Sequence, residues 1–129
     1  MYDFTYHRPS SLDDAAVAIK GAGDGTFLAG GQTLLPILKL RLANPSDVVD
    51  LGDIAELKGI TVDGDTVTIG AMTPHAEVAG SADVCAKIPA LADLAESIGD
   101  LQVRNRGTIG GSIANNDPAA DYPAAVVGL

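Results

Sequence analysis

Leu12, Ala15, Ala16 and Ile19 recur at helical spacing behind Ser10 and Ser11, with Asp13 and Asp14 in the first turn of the pattern. A serine can take up a free N–H at a helix start, and acidic residues there meet the positive end of the peptide dipoles. The spacing predicts a helix that stops at Gly21-Ala22-Gly23-Asp24-Gly25. Thr26-Phe27-Leu28-Ala29, with a β-branched and an aromatic member, reads as a short buried strand. It runs into Gly30-Gly31-Gln32-Thr33, and helical spacing returns from Leu34 to Leu42. Asn44-Pro45-Ser46-Asp47 has the turn chemistry to close that helix, and Val48-Val49-Asp50-Leu51 reads as a second strand.

The pattern then changes character. Gly59-Ile60-Thr61-Val62 and Thr66-Val67-Thr68-Ile69 flank Asp63-Gly64-Asp65 and predict a hairpin with a glycine-containing turn. Pro74 to Ala79 and Pro89 to Ile98 read as helices, the second with Leu91, Leu94, Ala95 and Ile98 on one face. These elements predict an α+β chain of two small α/β lobes, residues 1–55 and 56–129, with no internal repeat.

Composition narrows the functional classes. A chain of 129 residues with 47% hydrophobic content can bury one real core. Its net charge of -9 repels nucleic acid and anionic membrane surfaces, so an anionic ligand must be held by local geometry. The single cysteine, Cys85, excludes an intrachain disulfide framework and any cysteine-ligated cluster in this chain. Among Val84, Ala86 and Ile88 it reads as a small packed side chain. His7 and His75 have no third ligand at metal spacing, so no metal site is expected. Met1 to Pro9 has neither the cationic start nor the apolar run of a signal peptide, and no apolar stretch reaches the roughly 20 residues of a membrane helix. A soluble protein in a reducing, cytoplasmic setting is expected.

Two stretches carry candidate chemistry. Leu28-Ala29-Gly30-Gly31-Gln32-Thr33-Leu34-Leu35 leads a strand through a double glycine into a helix. Glycines permit positive backbone angles and close approach, exposing successive N–H groups to a phosphate beside the helix start. Gln32 and Thr33 could add side-chain donors; equally, a strand-to-helix turn can need glycine for its geometry alone. The second stretch runs from Gln102 to Asp121 and places Gly110-Gly111 beside the hydroxyls of Thr108 and Ser112. Asp117 and Asp121 follow, as carboxylates able to accept hydrogen bonds from sugar or ribityl hydroxyls. Two such glycine turns could hold one pyrophosphate without clustered lysines. Neither a Walker lysine motif nor G-x-G-x-x-G occurs. Arg104 and Arg106 flank the second turn and could approach phosphates or serve as solvated or ion-paired residues that position the loop, while Lys39 and Arg41 read as an exposed helix face.

Together these stretches resemble the FAD-binding (medium) subunits of molybdenum hydroxylases, of the aerobic carbon monoxide dehydrogenase and xanthine dehydrogenase type. The resemblance runs through Phe4-Thr5-Tyr6-His7-Arg8-Pro9, Leu28 to Pro36, Leu40-Arg41-Leu42, Val48 to Leu51, Ile69-Gly70-Ala71-Met72-Thr73, Gln102 to Asn105, and Gly107-Thr108-Ile109-Gly110-Gly111. It implies a fold of the FAD-binding (PCMH-like) type. It also assigns Ala29, Gly30, Gly31, Gln32, Thr33 and Leu34, together with Thr108, Ile109, Gly110, Gly111 and Ser112, to the FAD diphosphate, and Asp121 to the polar chain of the cofactor. The family often has Asn at the position of Ser112, whose side chain reaches less far.

The resemblance further implies an electron-transfer role with no catalytic residues in this chain. A large subunit would carry the molybdenum cofactor and a small subunit the 2Fe-2S clusters, in a dimer of heterotrimers, with FAD passing electrons from the clusters to an external acceptor. Such complexes oxidise carbon monoxide, purines, aldehydes or aromatic heterocycles on another chain. Family members are about twice as long, and Tyr122 to Val127 reads as the start of a helix that continues, so the second lobe is expected to be incomplete. Two further readings stay open: a cofactor-free structural or interaction module of the same fold, and a nucleotide-binding domain without flavin selectivity.

Overall fold

In the computed structural model, which describes residues 1–129, the first helix, α1, spans Leu12–Gly21. The Ser11 hydroxyl accepts from the Asp14 N–H at 3.1 Å, with Asp13 and Asp14 in the first turn, as the sequence pattern predicts. Three short strands, β1 (Thr5–His7), β2 (Gly25–Leu28) and β3 (Asp47–Asp50), form a parallel sheet in the order β1-β3-β2. As the central strand, β3 has cover on both faces, and Val48 and Val49 are both buried. Ala15, Leu38 and Ile54 are the other buried apolar residues of this unit, Met1–Glu56.

Two expectations for this unit need correction. β2 is not a buried strand: it is an edge strand, and Phe27 is 47% exposed. The following helix, α2, spans only Leu34–Lys39 and does not run to Leu42. Arg41 takes a left-handed conformation with φ of 59°. Its N–H donates to Leu38 O and that of Leu42 donates to Ile37 O, the paired bonds that close a helix C-terminus. Glycine is the usual residue there, so the stop carries no sequence signal. Arg41 thus lies beyond the helix rather than on its face, with its guanidinium 5.3 Å from the centre of the Tyr2 ring.

The second unit, Leu57–Leu129, opens with the hairpin that the alternating pattern predicts. β4 (Ile60–Asp63) pairs antiparallel with β5 (Thr66–Ile69), matching Ile60 to Ile69 and Val62 to Val67, with Gly64 at φ +56° in the turn. Six helices follow: α3 (His75–Gly80), α4 (Ala82–Lys87), α5 (Pro89–Ser97), α6 (Leu101–Arg106), α7 (Ile109–Asn115) and α8 (Asp121–Gly128). Val78, Val84, Leu91, Ala92, Ala95, Tyr122 and Ala125 make the core, against which Ile60, Val67 and Ile69 of the hairpin pack. On α5, Leu91 and Ala95 are buried, and Leu94 and, just beyond the helix end, Ile98 pack partly buried against the same core. Cys85 is exposed rather than packed, because Val84 takes the inward position of α4. No helix is long and apolar enough to cross a membrane.

Candidate functional site

The Gly-Gly turn of the first unit joins β2 to α2. Gly31 has φ of +77°, a backbone angle that favours glycine, and a Cβ there would stand 2.9 Å from Leu35 Cδ1, so the leucine would have to shift. Gly31 is buried while the side chains of Gln32 and Thr33 are exposed. Leu35 N–H donates to Gly31 O and Ile37 N–H to Thr33 O, which starts the helix. The N–H groups of Gly30 through Leu34 donate to no carbonyl or side chain of the protein. Gln32 Nε2 donates to Gly30 O at 3.3 Å, a long bond that a better acceptor can displace. This turn therefore offers a run of unspent backbone donors flanked by an exposed amide and an exposed hydroxyl.

The second turn is built differently. Thr108 is the N-cap of α7, and its hydroxyl accepts from Gly111 N–H at 3.1 Å. Ile109 N–H donates to Thr73 O at 3.2 Å, Gly110 N–H to Ala71 O at 2.9 Å, and Ser112 N–H to Thr108 O at 3.0 Å. The amides expected to face a phosphate are thus committed to the chain itself. A Cβ at Gly110 would lie 2.6 Å from both Ala71 Cβ and Ala71 O, so this glycine is required for close packing on the 71–74 segment. What the turn can give a ligand is a side-chain-free surface at Gly110 and Gly111 and the half-buried Ser112 hydroxyl.

Asp117 accepts from Ala119 N–H at 2.9 Å and shapes the turn after α7, which ends at Asn116 in a left-handed conformation. Asp121 begins α8 with its carboxylate exposed, so it remains available to a hydroxyl ligand. Arg104 Nη1 donates to Glu96 O at 3.1 Å, and Arg106 is exposed in the last turn of α6. The residues that hold the second turn in place lie outside the stretches expected to carry chemistry. Ala71 and Thr73 supply the carbonyls, and Thr73, fully buried, clamps Gly59 by accepting from its N–H at 3.0 Å and donating to its O at 3.1 Å. His75 donates its N–H to Gly107 O at 3.0 Å and stacks on Tyr122 at 4.9 Å between ring centres. Their only sequence signal is Ile69-Gly70-Ala71-Met72-Thr73, which carries the resemblance without showing what it contacts.

Fold and turns together define the class as an α+β chain that presents glycine turns and no lysine-bearing phosphate loop. The chain belongs to the family described as the FAD binding domain in molybdopterin dehydrogenase, whose model matches residues 2–129. It is 46% identical over 127 residues to the carbon monoxide dehydrogenase medium chain of Hydrogenophaga pseudoflava, covering 98% of this chain and 44% of that one. It is 35% identical over 123 residues to the xanthine dehydrogenase FAD-binding subunit of Escherichia coli O157:H7, covering 94% of this chain and 42% of the relative. Among solved structures, carbon monoxide dehydrogenase from Hydrogenophaga pseudoflava superposes with a TM-score of 0.92 at 48% identity, over 96% of this chain and 44% of that one. Quinoline 2-oxidoreductase from Pseudomonas putida 86 gives a TM-score of 0.92 at 35% identity, with the same coverage of 96% and 44%. The chain spans less than half the length of these relatives.

Proposed function

We propose that this chain binds FAD through Ala29 to Leu34, Thr108 to Ser112 and Asp121, and serves as the flavin station of a molybdenum hydroxylase complex. The observation that carries this reading is the run of unspent N–H groups from Gly30 to Leu34 beside exposed Gln32 and Thr33. Backbone amides suit a diphosphate in a chain of net charge -9, because they supply partial positive charge without lysines. Family membership over residues 2–129 identifies the cofactor class. FAD supplies the redox chemistry when bound, and the protein supplies binding and orientation. The first turn donates to the phosphates, the second offers a surface without side chains, and the Asp121 carboxylate accepts from a hydroxyl of the cofactor.

In this reading the chain joins a molybdenum-bearing large subunit and a 2Fe-2S small subunit in a dimer of heterotrimers, as the family resemblance implies. Electrons would pass from the clusters through this subunit to an external acceptor. A fluorescence titration of the chain with FAD, run with ADP as competitor, tests the binding step. Saturable binding, weakened about tenfold or more in Gln32→Ala and Thr33→Val, is expected from losing donors to a charged group. Equal affinity for ADP and FAD would instead favour a nucleotide-binding domain without flavin selectivity. No binding by the folded chain would favour a structural module.

A further inference from the structure

His75 and Tyr122 are buried polar side chains that the proposed FAD contacts do not use, being 4% and 1% exposed. Their rings stack with an interplanar angle of 27°, and neither His75 Nδ1 nor the Tyr122 hydroxyl has a hydrogen-bond partner. The other edge of the imidazole lies against the backbone leading into α7. A Cβ at Gly107 would stand 2.7 Å from His75 Nε2 and 2.9 Å from its Cδ2. Around that contact the backbones are tied: His75 N–H donates to Gly107 O, Pro74 and Thr108 form an isolated bridge, and Ile109 N–H donates to Thr73 O. The ring therefore touches the chain just before Thr108 and the residue just after Asp121.

We propose that His75 is a positioning residue that, with its ring between Gly107 and Tyr122, sets the Thr108–Ser112 turn beside the start of α8. Its consequence for cofactor binding rests on the FAD reading above. A ring wedged between a glycine backbone and a phenol fixes the turn sterically, because close-packed interiors transmit the position of one neighbour to the next. Charging that ring would place a cation where Nδ1 has no acceptor. The elements around α3 carry Asp83 and Lys87 on α4, Asp93 and Glu96 on α5, Asp100, Arg104 and Arg106 on or capping α6, and Asp121 on α8, with Glu77 on α3 itself. Of these, Asp121 acts on the imidazole and favours its charged form, but burial is the larger effect and holds the ring neutral below the usual histidine range.

Backbone amide exchange of the whole chain, wild type against His75→Ala and His75→Gln, tests the proposal with or without cofactor. At neutral pH, His75→Ala should lower protection of Gly110, Gly111 and Ser112 on the order of tenfold more than that of core amides such as Ala95. In the wild type the same three amides should lose protection as pH falls through the titration of His75, a step absent from His75→Gln. FAD affinity, measured in parallel, should follow turn protection. Unchanged turn amides in His75→Ala, a uniform loss across the unit, or the same pH step in His75→Gln would each overturn the assignment. If the turn amides respond as expected while the wild type binds no FAD, the FAD reading fails and the positioning role stands.

Discussion

Thr73 shows how much one buried hydroxyl can hold. It bonds both the N–H and the carbonyl of Gly59, 14 residues away, where φ of +95° lets the chain turn into the hairpin. Thr73→Val keeps the shape and strands the Gly59 N–H, while the Gly59 carbonyl still accepts from Gly70 N–H at 2.8 Å, so a loss of about 1–3 kcal/mol is expected in urea unfolding. A loss near zero would mean that water satisfies Gly59 equally well. Tyr122 makes a second residue-level prediction. Burial, with a smaller contribution from Asp121, pushes its phenol from the ordinary 10.0 up to about 12. The unfolded chain then releases that proton first, so the contribution is complete below pH 10 and is lost as pH rises towards 12. Tyr122→Phe should flatten this alkaline limb of the stability curve, and an unchanged limb would show that the phenol titrates freely. Neither role was legible in the sequence, where Thr73 belongs to a pattern that carries a resemblance without naming partners and Tyr122 reads as the start of a helix.

At the scale of elements, legibility followed locality. The start of α1 could be read because Ser11 and Asp14 lie within one turn, and the hairpin because its alternation and its glycine turn are adjacent. The end of α2 could not, since Arg41 occupies a left-handed position that glycine ordinarily marks. The stretch from Leu101 to Asn115 was read for its glycines, hydroxyls and arginines and not for helices, yet it forms α6 and α7. Asp100 caps α6 by accepting from Gln102 N–H at 2.7 Å and Val103 N–H at 3.1 Å, and Thr108 caps α7. Two glycines at the start of α7 weaken its intrinsic helix preference, so the helix depends on that cap and on the carbonyls of Ala71 and Thr73. Thr108→Val should therefore cost about 1 kcal/mol in thermal or urea unfolding, with Gly111 amide exchange accelerating first. Loss of stability without a change at Gly111 would place the effect of Thr108 in packing and not in capping.

For the whole molecule, the two glycine turns looked alike as sequence and are not alike as chemistry. Each is a Gly-Gly at the entry to a short helix, which is all that spacing can show. What separates them is where the amides go, and the acceptors that occupy the second turn, Ala71 O and Thr73 O, come from a distant segment. This asymmetry gives opposite signatures on substitution. Gln32→Ala changes an exposed side chain, so stability without ligand should move by no more than about 0.5 kcal/mol. A fully bound cofactor at one hundred times its Kd should add about 2.7 kcal/mol of apparent stability, and Gln32→Ala should reduce that increment at fixed FAD. Gly110→Ala drives a methyl into Ala71 and should cost on the order of 1–3 kcal/mol before any ligand is added. Measured by thermal shift with and without FAD, the first variant should differ from wild type only when FAD is present, and the second already without it. If Gly110→Ala leaves the unliganded protein as stable as wild type and loses only the FAD increment, the second turn contacts the cofactor directly and the packing role assigned to its glycine is wrong.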